Sequence, residues 1–357
     1  MSNLKYSVGI DVSKNDFHCC LSVINTEQLV KVRSSRKFAN SSSGFKKLVE
    51  WIDLNTKEEL AVFFVMEATG VYHEQLAWYL HHKGLSISIL LPNKAKKYLQ
   101  ANGAKSKNDK IDAQGLSRIG AEKRLELWVP PSKYLYDLRS CTRQHQSLND
   151  MHCAVNNQLE AITHSQFQSK AIIKQLKKTM QLLEQQMKEM EKVIQKIIKE
   201  DEILSSHYKN ISAIKGIAML SFAVIAAETN GFTLFKDAAS LVSYAGYDVV
   251  ENQSGNHVGH TKISKKGNSR LRRILHMPAL CAVREDQPQF KRLYERVYNR
   301  TGIKMKGYVA VQKKLLVMSY YLWKKNEAYD PTFTLGKNNS PGSSEATHDK
   351  IPLGNFH

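Results

Sequence analysis

The stretch KYSVGIDVSKNDFHCCLSVI, Lys5 to Ile24, reads as two β-runs, Tyr6 to Val12 and Phe17 to Ile24, joined by the polar Ser13-Lys14-Asn15-Asp16. Such a pair is a hairpin. A third β-run, Val30 to Phe38, gives way to Ser41-Ser42-Ser43-Gly44 and an amphipathic stretch ending near Trp51, so three strands precede a helix. Leu60 to Met66 is apolar throughout and reads as a buried strand. A helix from about Val71 to His82, a strand from Leu85 to Leu91 and a basic helical segment from Pro92 onward complete the order β-β-β-α-β-α-β-α. That is the order of an α/β RNase H-like, or RuvC-like, fold.

Four acids stand out against this frame. Asp11 lies inside an apolar strand, where an uncompensated charge costs several kcal/mol, about 3 or more, so something cationic is expected beside it. Glu67 ends the apolar strand Leu60 to Met66 in the same way. Asp109 and Asp112 are three apart and share one face of a helix. Two strands and one helix can converge these groups, and four hard oxygen donors suit one or two Mg2+ ions. Two such ions can stabilise the attacking and leaving oxygens of phosphodiester exchange. For each acid alone, a cap or surface charge is the ordinary explanation. The Gly-Ile-Asp-x-Ser turn also suits the phosphate loop of sugar kinases and actin-like ATPases, but those need a Gly-rich second half that this chain lacks.

Farther on, Ile173, Leu176, Met180, Leu183, Met187, Met190, Ile194 and Ile197 recur at alternating three- and four-residue spacing, a coiled-coil seam. It serves either a hairpin within one chain or assembly between chains. The expected layout is an RNase H-like catalytic domain over 1–125, a helical coiled-coil spacer and assembly region over 126–208, a mainly α-helical basic domain over 209–328, and a disordered Pro/Gly/Ser-rich tail over 329–357. Within the third, Ile214-Lys215-Gly216-Ile217-Ala218 has the look of a helix-hairpin-helix turn, although Ala218 stands where a second glycine is usual; a plain packing turn fits as well.

The chain carries 52 Lys and Arg against 33 Asp and Glu, a net charge of +19, which favours a polyanionic partner. From Ser254 to Leu275 come Lys262, Lys265, Lys266, Arg270, Arg272 and Arg273 with no acid between them. These, with Lys94, Lys96, Lys97, Lys105 and Lys107 nearer the N-terminus, are the candidate nucleic-acid contacts. Tyr294, Tyr298, Lys304, Lys306 and Tyr308 extend the basic and aromatic character. No apolar run approaches the roughly 20 residues that span a bilayer, and Met-Ser-Asn-Leu-Lys leads into a strand, not a signal core, so a cytoplasmic protein without a membrane partner is expected. Five cysteines without a metal-type pair suit reduced thiols. Ser254 falls in the polar loop Asn252-Gln253-Ser254-Gly255-Asn256, where His257 and His260 are the only local bases; on position alone a loop serine is usually structural.

Taken together the residues resemble the DEDD-type transposases of the insertion-sequence one-ten family, recombinases of which some members are guided by a bridge RNA. The resemblance runs over nearly the whole chain. It is carried by GIDVSK from Gly9, MEATGVYH from Met66, LPNKAKKY from Leu91, KSKNDKIDA from Lys105, IKGI from Ile214, LVSYAGY from Leu241 and SGNHVGHTKISKKGNSRLRRIL from Ser254. It implies that Asp11, Glu67, Asp109 and Asp112 form a magnesium-binding tetrad, with Asn108 where threonine is common. It also implies that Ser254 attacks the DNA backbone and holds it as a phosphoserine link, in a composite site with the tetrad on one domain or subunit and the serine on another. The implied partners are double-stranded DNA at the element ends and target, a guide RNA, and further copies of the chain as a dimer or tetramer. The implied activity is excision and insertion of a mobile element by transesterification. Two other readings remain open: a hydrolytic Holliday-junction-type endonuclease using the same tetrad, and a non-catalytic nucleic-acid-binding scaffold.

Overall fold

Strand-forming residues alternate along Tyr6–Val12, and that two-residue period decides what packs on each face of the sheet. The structure, a computed structural model, describes residues 2–56, 59–68, 70–101, 108–250, 253–254, 257–258, 262–284 and 287–331. It comprises two compact units, Met1–Pro130 and Pro131–His357. The expected disordered tail lies, from residue 332 on, outside the described residues, as do Lys105 and Lys107.

The first unit runs β1 (Asn3–Val12), β2 (Asp16–Asn25), β3 (Val30–Ala39), α1 (Ser42–Asn55), β4 (Val62–Glu67), α2 (Glu74–His82), β5 (Ser86–Leu90), α3 (Pro92–Ala101) and α4 (Asp109–Glu122). The strands form one mixed sheet in the order β3-β2-β1-β4-β5. The first three are antiparallel neighbours, while β4 runs parallel to β1 and β5 parallel to β4. Tyr6, Val8, Ile10 and Val12 of β1 share a core with Phe45, Leu48 and Trp51 of α1 and Leu76 and Leu80 of α2. The intervening residues face α4. There Ser22 and Ser117 hydroxyls meet at 2.7 Å, and a Cβ on Gly120 would come within 2.3 Å of the Ser7 hydroxyl. Small residues on both surfaces let α4 lie close to the sheet.

The second unit runs α5 (Lys133–Thr163), α6 (Lys170–Glu200), α7 (Glu202–Ser212), α8 (Met219–Glu228), α9 (Ala238–Ala245), β6 (Val249–Val250), β7 (Gln253–Ser254), β8 (His257–Val258), β9 (Lys262–Ile263), α10 (Ser269–Ile274), α11 (His276–Arg284), α12 (Pro288–Thr301) and α13 (Lys304–Lys325). The seam residues Ile173 to Ile197 of α6 are all buried or half-buried. They pack on α5 of the same chain as an antiparallel hairpin: His145 pairs with Glu191 and, seven residues on, His152 pairs with Glu184, seven residues back. The base of this hairpin joins the main core of the unit, where Leu138, Ile194 and Ile198 meet Phe222, Leu271 and Leu315. Gly216 adopts φ +104°, and a Cβ there would stand 2.9 Å from the Pro278 carbonyl oxygen, so the turn after α7 packs tightly on α11. All five cysteines are unpaired. Among the described residues no helix is long and apolar enough to cross a membrane.

Candidate active site

Asp11 and Glu67 end two neighbouring parallel strands. The ladder pairs Gly9 with Val65 and Ile10 with Met66, and Asp11 and Glu67 are the residues that follow its last rung. Both acids are half-buried, and by strand alternation they share the face that carries Ser7, Gly9 and Val65, the face covered by α4.

Helix α4 runs antiparallel to β1, and its neighbours on that strand fix where its first turn falls. The Lys5 ammonium donates to the Gly120 carbonyl at 2.8 Å, Gly120 lies against Ser7, and Gly9 lies against Ala113 and Ser117. Continuing the progression brings the opening turn, with Asp109 and Asp112, toward Asp11. The Asn108 side chain caps this helix by accepting from the Ile111 N–H, which orients the two acids at its start. Asn108 therefore supplies the capping oxygen a threonine would. His18, opposite Asp11 in the β1–β2 ladder, has Nδ1 3.6 Å from an Asp109 carboxylate oxygen. That is an ion-pair separation, too long for a hydrogen bond, and the buried Nδ1 has no hydrogen-bond partner.

The four predicted acids thus sit at one end of the first unit's sheet and at the start of the helix that covers it. Their donor chemistry, carboxylate oxygen throughout, suits a hard divalent cation. Among the described residues no three His, Cys, Asp or Glu side chains lie close enough to hold an ion.

Ser254 was expected in a loop; its backbone is instead in a strand. β7 and β8 pair antiparallel with Ser254 opposite His257, and β6 and β9 pair antiparallel in a second short sheet, Val249 opposite Ile263 and Val250 opposite Lys262. The sequence signal was present, since Val249, Val250, Val258 and Ile263 are β-branched.

The basic residues divide into two groups. Lys94, Lys96 and Lys97 are exposed on α3, as are Lys262, Lys265 and Lys266 around β9. The three arginines have internal partners: Arg270 lies 3.9 Å from Glu228, Arg272 donates to the Ala245 carbonyl at 2.8 Å, and Arg273 donates to Asp150 at 2.6 Å. The acids missing from the local sequence come from elsewhere in the chain. Glu228 is the residue that sequence reasoning overlooked. Its carboxylate is buried and receives Arg143 twice, at 2.8 and 3.1 Å, and the Asn268 amide at 2.7 Å. Burial alone would raise its pKa, but the hydrogen bond and charge of Arg143, with Asn268 and Arg270, outweigh that and lower it from the usual glutamate value. A lone acid closing the apolar run MLSFAVIAAE is the same signal that marked Asp11.

Residues 8–168 match the IS110 DEDD transposase family, described as a transposase, and residues 208–295 match the transposase of the IS116/IS110/IS902 family. The chain is 28% identical over 331 residues to the pilin gene-inverting proteins of Moraxella bovis and Moraxella lacunata, covering 91% of this chain and 98% of each relative. Among solved structures, Thermus thermophilus RuvC covers 34% of the chain and 99% of its own length, at 9% identity and a TM-score of 0.27. The protein is an enzyme of DNA recombination, a transposase. It belongs to the IS110 family.

Proposed function

We propose that the chain is a site-specific recombinase whose Asp11, Glu67, Asp109 and Asp112 hold magnesium and whose Ser254 is the nucleophile. What supports this reading is that Asp11 and Glu67 lie at the ends of neighbouring parallel strands on the face covered by α4, whose capped first turn carries Asp109 and Asp112, in a chain of a transposase family. The sheet order β3-β2-β1-β4-β5, with one antiparallel and one parallel side, supports the RNase H-like assignment of the first unit.

In the reaction the Ser254 oxygen bonds to phosphorus as the bond from phosphorus to a deoxyribose oxygen breaks; that oxygen departs as a hydroxyl with the serine proton. A hydroxyl of another strand then attacks the phosphoserine, rejoins the backbone and regenerates the serine. Bound magnesium would supply charge neutralisation at the phosphate. Lys262, Lys265 and Lys266 offer exposed positive charge to the backbone on either side, contacts that position DNA without reading its sequence. The gene inversion named in the Moraxella relatives supports recombination of DNA; an assembly of several copies would bring the exchanging strands together, and a guide RNA would supply the sequence recognition that phosphate contacts lack.

The test is covalent trapping on nicked junction DNA with magnesium and RNA from the flanking region. Wild type is expected to form a protein–DNA adduct that both Ser254→Ala and Asp11→Ala abolish. Cleavage that survives in Ser254→Ala and disappears in Asp11→Ala would replace this reading with the hydrolytic junction endonuclease.

A further inference from the structure

The paired strands β6 and β9, which flank Ser254 in sequence, stand on two feet, and both are tied to one buried carboxylate. One foot is the end of α9, Tyr244 to Gly246. The other is the segment Ser264 to Asn268 that leads into α10. Backbone bonds knit the feet together, Lys265 N–H to Gly246 O at 3.1 Å and Asn268 N–H to Tyr244 O at 2.7 Å. Gly267 lies so near Tyr244 that a Cβ would come within 2.3 Å of its carbonyl oxygen. Lys265 holds φ +53° and Gly246 φ +73°, conformations that the surrounding structure must maintain.

The bonds that maintain them converge on Glu228. The Asn268 amide donates to the Glu228 carboxylate and, at 3.3 Å, to the Tyr244 hydroxyl; that hydroxyl donates to the Glu228 carbonyl at 3.0 Å. The oxygen of the Asn268 side chain accepts from the Arg270 and Leu271 N–H groups and so starts α10. Arg143 reaches the same carboxylate from the long helix α5, side-on through two nitrogens. A buried acid holding donors from α5, α9 and α10 is a rigid joint, and the strands β6 and β9 rise directly from it. Two arginines against one carboxylate also leave positive charge where these strands begin.

We propose that Glu228 is a positioning residue for strand exchange: with Arg143, Tyr244 and Asn268 it fixes the feet of strands β6 and β9 and so sets where Ser254 is presented. The proposal rests on Ser254 being the nucleophile. A rate set by such a joint is sensitive to small displacements, a shift of about 1 Å costing on the order of a hundredfold.

The test uses the full chain with Glu228→Gln, which keeps shape but removes the charge, and Arg143→Lys, which keeps the charge but not the paired geometry. Two quantities are read: amide hydrogen exchange along 262–268, and the rate of adduct formation at saturating DNA alongside the DNA concentration for half-saturation. The expected result is exchange accelerated most along 262–268 and neighbouring rungs, a rate lowered by about a hundredfold and a half-saturating concentration changed less than about twofold. Arg143→Lys should fall between wild type and Glu228→Gln. Wild-type exchange and rate in Glu228→Gln would overturn the proposal. So would exchange accelerated equally throughout the second unit with rate and DNA binding lost together, the mark of a general core charge. Should Ser254→Ala still form the adduct, the serine assignment fails, whereas the exchange measurement judges the joint independently.

Discussion

Gly9 of β1 lies directly against Ala113 of α4: a Cβ on residue 9 would stand 2.1 Å from the Ala113 carbonyl oxygen and 2.1 Å from the Ser117 nitrogen. This close approach seats the helix that carries Asp109 and Asp112 over the strand that carries Asp11. Both obstacles are backbone, so no side-chain rotation relieves them. Gly9→Ala should therefore cost at least the about 1–3 kcal/mol typical of overpacking and abolish recombination in whatever fraction stays folded. Thermal denaturation with an activity assay checks this, and a wild-type melting temperature would show that α4 can lift away freely.

Magnesium should stabilise the protein through the four acids. At a free concentration about a hundred times the dissociation constant, binding contributes about 2.7 kcal/mol. Asp11→Asn and Glu67→Gln keep the side-chain shape, so without metal they should melt near wild type, and with metal they should lose most of the upward shift. A full shift in both variants would place the ion elsewhere.

Acid should loosen the second unit through Glu228 and Asp150. Burial opposes ionisation of Glu228, but Arg143 and Asn268 more than offset it; the Arg273 hydrogen bond lowers Asp150. A carboxyl whose folded pKa is depressed stabilises the fold above its unfolded value, and that stabilisation is lost as pH falls through the folded one. The melting temperature should thus decline on the acid side of the ordinary carboxylate range. Glu228→Gln should start lower at neutral pH and decline less steeply, and an unchanged acid limb would count against the joint.

The hairpin of α5 and α6 should behave as an internal element. Ile194 is fully buried, so Ile194→Ala is expected to cost about 2–5 kcal/mol. Because the seam is filled by α5 of the same chain, Met187→Asp should lower helicity and melting temperature by an amount independent of protein concentration. Concentration-dependent melting through this seam would indicate pairing between chains instead.

Salt dependence separates the two kinds of basic residue. Lys265→Ala and Lys266→Ala should each reduce the slope of log affinity against log salt by about 0.9 for every phosphate that is no longer neutralised, with little effect on folding. Arg272→Ala and Arg273→Ala should lower stability, since they remove the bonds to the Ala245 carbonyl and to Asp150. The titration is read on a single duplex at several salt concentrations.

The strand order was legible because the first hairpin, the apolar Val62–Glu67 strand and the helix after it each carry a local period, and locally encoded elements follow sequence closely. Asp11 and Glu67 were conspicuous for a related reason: a charge in an apolar strand must be compensated, and the sequence shows the charge even when it hides the compensation. The short strands β6 to β9 were harder to see, since two-residue rungs have no room for a period to repeat.

By itself, then, the sequence determined the strand order of the first unit, the basic balance and the spacing of the α6 seam, all of which are properties of neighbouring residues or of composition. Only the tertiary structure decided that the seam is met by α5, that the apparently unopposed arginines lie against Glu228, Asp150 and the Ala245 carbonyl, and that Glu228 ties both feet of strands β6 and β9. Those partners stand far apart along the chain, Arg143 and Glu228 by 85 residues and Asp150 and Arg273 by 123. Pairings at such separations are chosen by packing of the whole core, which no local pattern of residues encodes.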